Sequence, residues 1–468
     1  MSLQVLKFAW PDVAALTLNV VPPLDASSHK GTMGRVGVVG GSKDYCGAPY
    51  YAAVSALKFG ADLSWVYCSQ EAAIPIKSYS PELMVTPFYD DKRLGDSNTE
   101  HLHETKQDFI DESAEVITSS FPRLHTMVIG PGLGRHPDVQ LMIQAVLQEA
   151  VSKDIGFVID ADGLNVLTTK HSPSVSGYSK CILTPNAPEF ERLASATLAH
   201  FEGYVTNDKN NGGEDLNVKA VQYWMQQLRL NDSDTTTPSS THETSLDGKL
   251  HTTKLSATSP ADTTSTPPLT TTEAVLAKRV YALSVLLGGV TILRKGEVDI
   301  IASSRVGLNN RSSSQHKDDG PSTDAVYVLY GKGCPRRCGG LGDILSGITA
   351  TALHWATPRA HLLPDLSSAL ANNSNVHQQT HPIEQTQTIR TITTTTLDSI
   401  TPDPSSTDSS STTPSKPDLH NALIHACIFA STVAKRSAEM AFADKGRSMT
   451  APDVIERIGR AFQDIYKE

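Results

Sequence analysis

Residues 333–348 read Gly-Cys-Pro-Arg-Arg-Cys-Gly-Gly-Leu-Gly-Asp-Ile-Leu-Ser-Gly-Ile, and an apolar helical pattern continues through Trp355. A glycine-dense turn thus opens a helix. Gly339, Gly340 and Gly342 permit backbone angles that other residues resist and let the main chain approach a ligand closely. The first N–H groups of the helix lack intrahelical partners and, with the helix dipole, suit an anion such as a transferring phosphoryl group. Asp343 stands at that helix start. A carboxylate repels an anion, so it fits such a site if it accepts the proton of an attacking hydroxyl. It fits equally well as a first-turn acid that only caps the helix.

Working outward, apolar strand patterns alternate with helical ones. Strands are predicted at Arg35–Gly40, Ser64–Cys68, Leu83–Pro87, Thr126–Gly130, Phe157–Asp160 and Cys181–Thr184, then at Val290–Gly296, Val298–Ala302 and Ala325–Tyr330. Helices are predicted at Ala48–Gly60, His101–Val116, Asp138–Ala150, from Pro185 onward, and at Leu216–Leu230, Glu273–Leu287, Leu419–Ala441 and Ala451–Tyr466. Uniformly apolar strands with glycine loops at their C-terminal ends predict an α/β layered fold, a mainly parallel sheet covered by helices on both faces. The residues before Arg35 read as a short leader. The whole chain, 1–468, is read as one catalytic domain carrying three polar insertions: 231–272 and 358–418, expected to be disordered, and 303–324.

Those Thr/Ser/Pro-rich tracts explain why hydrophobic residues make up only 39% of the 468 residues and aromatics 6%. The net charge of −10 gives no global electrostatic case for nucleic-acid binding, so an anionic ligand must be held by local groups. Six scattered cysteines favour a reducing compartment over a disulfide scaffold. Cys334 and Cys338 have no second Cys/His pair at ligand spacing, so a zinc site is not expected. No signal or transit pattern opens the chain and no apolar run reaches membrane-spanning length, which predicts a cytoplasmic protein.

Four further loops carry candidate chemistry. Pro131-Gly132-Leu133-Gly134-Arg135 follows a buried strand, where ligands sit in open α/β sheets, or else marks only a tight turn. Asp160-Ala161-Asp162-Gly163-Leu164-Asn165 offers two carboxylates that suit Mg²⁺ through water, or a helix cap at Asp162. Pro185-Asn186-Ala187-Pro188-Glu189 carries ordinary helix-start signals. Lys295 sits at a hairpin, where a lysine is usually solvated.

Gly-Leu-Gly-Asp late in the chain resembles the anion-hole motif of the ribokinase-like superfamily, and Cys-Pro-Arg-Arg-Cys-Gly-Gly-Leu-Gly-Asp resembles the eukaryotic ATP-dependent NAD(P)H-hydrate dehydratases within it. The motifs stand in the family's order, with Gly-Gly-Leu-Gly-Asp-Ile as a departure from the more frequent glutamine and leucine variants. The resemblance implies ATP-dependent dehydration of the S form of hydrated NADH or NADPH, with Mg²⁺ as cofactor and Asp343 as base. It implies that Gly132, Asn186, Ala187, Pro188, Glu189, Phe190, Glu191, Arg192 and Asp343 face the hydrate. It places ATP on Lys295, Gly296, Glu297, Val298 and Asp299, and on Gly333, Cys334, Pro335, Arg336, Arg337, Cys338, Gly339, Gly340, Leu341 and Gly342. Direct metal ligands are not assigned. A separate epimerase for the R hydrate is expected, since only a leader precedes Arg35, and a homo-oligomer is compatible with the reading. The alternatives are a ribokinase-like kinase for a vitamin precursor or other small alcohol, and a non-catalytic nucleotide-binding protein. The second has no use for the base.

Overall fold

In the computed structural model the apolar runs become strands of one eleven-stranded sheet. It describes residues 2–26, 28–95, 105–168, 175–210, 216–230, 266–305, 324–331, 333–371, 373, 375–382 and 418–466. The strands are β1 (Ser2–Ala9), β2 (Arg35–Val39), β3 (Leu63–Ser69), β4 (Met84–Tyr89), β5 (Thr126–Ile129) and β6 (Gly156–Ile159), followed by β7 (Cys181–Leu183), β8 (Thr291–Arg294), β9 (Asp299–Ala302), β10 (Asp324–Tyr330) and β11 (His377–Pro382). Their order across the sheet is β11-β1-β10-β9-β8-β7-β6-β5-β2-β3-β4. The run from β8 through β4 is parallel throughout, as is β1 with β10. Among the described residues only β9 and the edge strand β11 run against their neighbours.

The helices are α1 (Trp10–Thr17), α2 (Gly47–Phe59), α3 (Gln70–Tyr79), α4 (Lys106–Thr118), α5 (Pro137–Ser152), α6 (Gly163–Val166) and α7 (Ala187–Asn210), then α8 (Leu216–Leu228), α9 (Thr271–Leu286), α10 (Leu341–Ala356), α11 (Leu366–Ala371), α12 (Leu419–Lys445), α13 (Ala451–Ile455) and α14 (Ile458–Tyr466). Successive strand residues point to opposite faces, so Val36, Val38 and Val128 join the buried cluster that includes α2, α10 and α12, while Val39, Met127 and Ile129 join the one that includes α5, α7 and α9. That two-sided burial is why the strands read as unbroken apolar runs.

Helix α10 lies at the centre of the first layer, buried along nearly its whole length from Ile344 to Ala356. Its small residues permit this. A methyl group on Gly347 would lie 2.0 Å from the carbonyl oxygen of Ala52 in α2. Helix propensity alone favours alanine there by about 1 kcal/mol, but the steric conflict is with backbone and cannot relax by a rotamer change. Gly347→Ala is therefore expected to destabilise by about 1–3 kcal/mol. A urea midpoint at or above that of the wild type would show that the helices part without cost.

The structure corrects two boundaries. The expected leader is structural: β1 pairs with β10 and β11, with Leu3, Val5, Leu6 and Phe8 buried. Lys7 obscured this strand in the sequence, and it is itself buried, its charge met by Glu273 at 2.8 Å and by the Pro268 carbonyl. The polar tract expected from 358 also begins later. The described residues that follow form a 3-10 turn (Thr357–Leu362), α11 and β11, with Leu363, Leu366, Leu370 and Val376 buried. Four apolar side chains among Ser, Asn and His suffice, because β11 gains its order from backbone pairing with β1. At the first tract Thr270 and Glu273 form a capping box on α9, and at the second Asp324 opens β10. The remainder of the three insertions, 231–265, 306–323 and 383–417, lies outside the described residues.

Candidate active site

The neighbouring strands β5, β6, β7 and β8 run parallel, so the residues that follow them gather at one edge of the sheet. These are the 130–135 loop, Asp160, the Asn186–Glu189 turn and Lys295. The N-terminus of α10 comes down against them: a methyl group on Gly342 would lie 3.1 Å from Lys295 Nζ and 3.8 Å from Asp160 Oδ2. This is the C-terminal edge of an open α/β sheet, where ligands characteristically bind.

Gly340 caps α10 with φ +94°, and a side chain there would meet Tyr51 and Ala451 at 2.8 Å. The first helical hydrogen bond runs from Ile344 N–H to Gly340 O, so the N–H groups of Leu341, Gly342 and Asp343 precede the ladder and remain available to a ligand. Of the three glycines expected to give this turn its freedom, only Gly340 uses a positive φ. A methyl group on Gly342 would crowd the tip of Lys295, 3.1 Å away, whereas a side chain on Gly339 would meet open space.

Asp343 lies in the first turn of α10. Burial, together with the negative charges of Asp160, Glu189 and Asp162, pushes its carboxyl up to about 8, against the pull of the Lys295 ammonium. Lys295 Nζ is ion-paired with Asp160 and lies 3.9 Å from Glu189 Oε2. Burial disfavours its charge, but the two carboxylates outweigh burial and raise its pKa above the ordinary value. Asp162 holds the rim: its carboxylate accepts from Gly134 N–H at 3.1 Å and from Arg135 Nε at 3.0 Å. Gly132, on that same loop, has its carbonyl fixed by the Ser42 hydroxyl at 2.9 Å.

Beside this centre a cleft of ≈ 300 Å³ is lined by Asn186, Lys295, Asp299, Arg337, Gly342 and Ser431, among others. Gly296, Glu297, Gly333, Cys334, Cys338 and Leu341 also border it. Several residues expected at the site lie elsewhere or act indirectly. Phe190 is fully buried in the core, and Glu191 pairs with Arg279 through both oxygens. These point away because α7 is a packed helix and only its first turn reaches the sheet edge. Ala187, Pro188 and Arg192 are exposed on α7. Asn186 and Glu189 close a reciprocal cap: Asn186 N–H donates to Glu189 Oε2 at 2.8 Å and Glu189 N–H to Asn186 Oδ1 at 3.0 Å.

On the nucleotide side, Asp299 is buried and braces the hairpin, accepting from Gly296 N–H at 2.9 Å and from the Ser431 hydroxyl. Val298 packs against the core. Arg336 directs its Nε to the Met449 carbonyl at 2.7 Å, leaving Arg337 as the arginine of that pair that borders the cleft. Pro335 is exposed.

Sequence reasoning missed the contribution of α12. Ser431 and Lys435, one turn apart on one helix face, both reach the cleft, and Lys435 Nζ donates to the Glu297 carbonyl at 2.9 Å. Only that i, i+4 spacing hinted at it.

The sequence profile of a family described as NAD(P)H-hydrate dehydratase matches residues 36–228, which span β2 to α8 and carry Gly132, Asp160, Asn186 and Glu189. Among curated proteins, the chain is similar to an ATP-dependent (S)-NAD(P)H-hydrate dehydratase of Ciona intestinalis, 35% identical over 337 residues, covering 72% of this chain and 64% of that one. It is also similar to the human protein of the same description, 29% identical over 452 residues and covering 97% of this chain and 84% of that one. Among solved structures, a ribokinase-like superfamily protein of Enterococcus faecalis matches with a TM-score of 0.52 at 14% identity, covering 99% of this chain and 97% of that one. That likeness is one of fold, and the fold is ribokinase-like.

Proposed function

We infer that the chain belongs to the NAD(P)H-hydrate dehydratase family, which it resembles in sequence, and that it restores NADH and NADPH from their S hydrates in an ATP-dependent dehydration. The observation that carries the chemistry is the placement of Asp343: a carboxyl at a helix N-terminus, beside an ammonium and an array of unpaired N–H groups.

The hydrate bears a hydroxyl at C6 of its reduced ring, and hydroxide leaves poorly. Asp343 accepts the hydroxyl proton as the oxygen attacks the γ-phosphorus of ATP and the bond to the ADP oxygen breaks. The N–H groups of Leu341, Gly342 and Asp343 face the charge that develops on the transferring group. The lone pair of the ring nitrogen then expels phosphate, and loss of the C5 proton restores the C5=C6 double bond. The products are NAD(P)H, ADP and phosphate.

Mg²⁺, the expected cofactor, would be bound together with the nucleotide. Among the described residues no three His, Cys, Asp or Glu side chains are grouped to hold a metal ion by themselves. Oxygen donors from Asn186 and Glu189 stand at the sheet edge, which suits an ion that keeps its waters and binds chiefly to phosphates. These two residues would hold it, and when bound it supplies neutralisation of phosphate charge.

Phe190 and Glu191 fall out of the proposed hydrate contacts. Gly132, Asn186, Glu189 and Asp343 remain, with Lys295 and Arg337 for phosphate. We assign epimerisation of the R hydrate to a separate protein and read the chain as one catalytic domain, both on the family likeness.

Purified protein mixed with Mg²⁺, ATP and freshly prepared NADH hydrate is expected to regenerate absorbance in the reduced-nicotinamide band only when ATP is present. Absorbance that stays flat although ATP binds would sink the dehydratase reading. ADP release with accumulation of a phosphorylated hydrate would instead favour a plain kinase.

A further inference from the structure

Asp160 follows β6 with its side chain only 1% exposed. One carboxylate oxygen is ion-paired with Lys295, and the other, Oδ2, is buried without a hydrogen-bond partner. Leaving a buried carboxylate oxygen unsatisfied costs free energy, and a buried ion pair is weak evidence of stabilisation. The pair therefore calls for a use besides folding. Its position supplies one. Lys295 backbone N–H donates to the Pro185 carbonyl at 2.8 Å, which fixes the base of the side chain, and Asp160 fixes its tip. So held, Nζ crosses over Gly342, beside the N–H groups of the α10 terminus.

Without Asp160 the ammonium has a competing partner in Glu189, 3.9 Å away on the next loop. A lysine side chain has four rotatable bonds and no fixed fork, so its direction depends on what it is paired with. The charges facing it are Asp160, Glu189 and Asp343, on three different elements. A triphosphate entering among these carboxylates needs a cation aimed at the phosphoryl that transfers.

We propose that Lys295 is a catalytic residue that meets the transferring γ-phosphoryl, and that Asp160 is the positioning residue that holds its ammonium over Gly342. This rests on the ATP-dependent reading of the site.

A double-mutant cycle tests it, with kcat and KM measured for ATP and for NADH hydrate. Asp160→Asn keeps the shape and removes the charge. Its kcat is expected to fall on the order of tenfold to a hundredfold, with KM for ATP unchanged or lower, because a misdirected lysine still binds ATP without serving the transition state. Lys295→Met is expected to lose at least as much. In the Lys295→Met background, adding Asp160→Asn is expected to change kcat by less than about threefold. Asp160→Asn takes away the nearest carboxylate of a buried ammonium and leaves it only Glu189, 3.9 Å away; should that single variant fail to fold, the double variant, which removes both charges, is compared with Lys295→Met alone and decides the matter. Wild-type kcat in either single variant overturns the proposal. So does an Asp160→Asn loss of equal size with and without the lysine. An inactive wild type indicts the dehydratase reading instead, before any variant is compared.

Discussion

Asp343→Asn is expected to lower kcat by about a thousandfold, within the range that a positioned general base contributes. The change replaces a proton acceptor by an amide of the same shape, so α10 and its N–H groups keep their places. ATP binding, followed by calorimetry, is expected to persist. The wild type should show the base directly in its pH profile. Only the carboxylate can take the hydroxyl proton, and the carboxyl is pushed up to about 8 by burial and by Asp160, Glu189 and Asp162. The value of kcat/KM is therefore expected to climb as pH rises through about 8 and to level above it. A profile flat from pH 6 to 9, or a variant within tenfold of the wild type, would remove Asp343 as the base.

The same raised pKa has a consequence for stability with the opposite sign to the activity. The folded protein keeps a proton on Asp343 that the unfolded chain releases near 3.8, the ordinary value. That group's support of the fold is fully present below the unfolded pKa and is lost as pH rises through about 8. Asparagine has no such proton to lose. The inactive variant is thus expected to be more stable than the wild type at pH 8, by about 1–4 kcal/mol. Equal urea midpoints at pH 8 would mean that the site imposes no strain on its base.

Gly130→Ala is expected to be the most damaging glycine change, costing about 3 kcal/mol or more together with most of the activity. Gly130 ends β5 with φ +126°, a conformation that disfavours any side chain. An added methyl group would lie 1.8 Å from the Asp160 carbonyl oxygen and 2.5 Å from Gly163 N. Both neighbours are backbone, so relief requires the ends of β5 and β6 to separate, and that displaces Asp160 and the ammonium it holds. Thermal unfolding and turnover measured together check this. A variant with wild-type midpoint and wild-type kcat would show that the two strand ends are not rigidly set.

What could be read from the chain was local. Buried strands such as Thr126–Ile129 stood out because burial on both faces leaves no alternation of polar residues. The turn before α10 was legible because only glycine suits Gly340, whereas the freedom ascribed to Gly339 had no structural counterpart. Strand β1 was not legible, because a buried lysine that is neutralised by a distant glutamate looks like solvated surface. Phe190 was misplaced for a related reason: a motif marks a segment, while helical geometry sends its successive residues in different directions.

The sequence by itself determined the α/β class, the glycine turn that opens α10 and the carboxylate placed at its start, because each depends on residues within a turn or a strand of one another. Only the tertiary structure decided which of the candidate carboxylates and cations share a centre. Asp160 and Lys295 are 135 residues apart, and neither carries a local mark of the other. Their meeting follows from the neighbouring positions of β6, β7 and β8 and from the descent of α10 upon their ends. Sheet order is set by how whole layers pack, a long-range property that no single stretch of chain encodes.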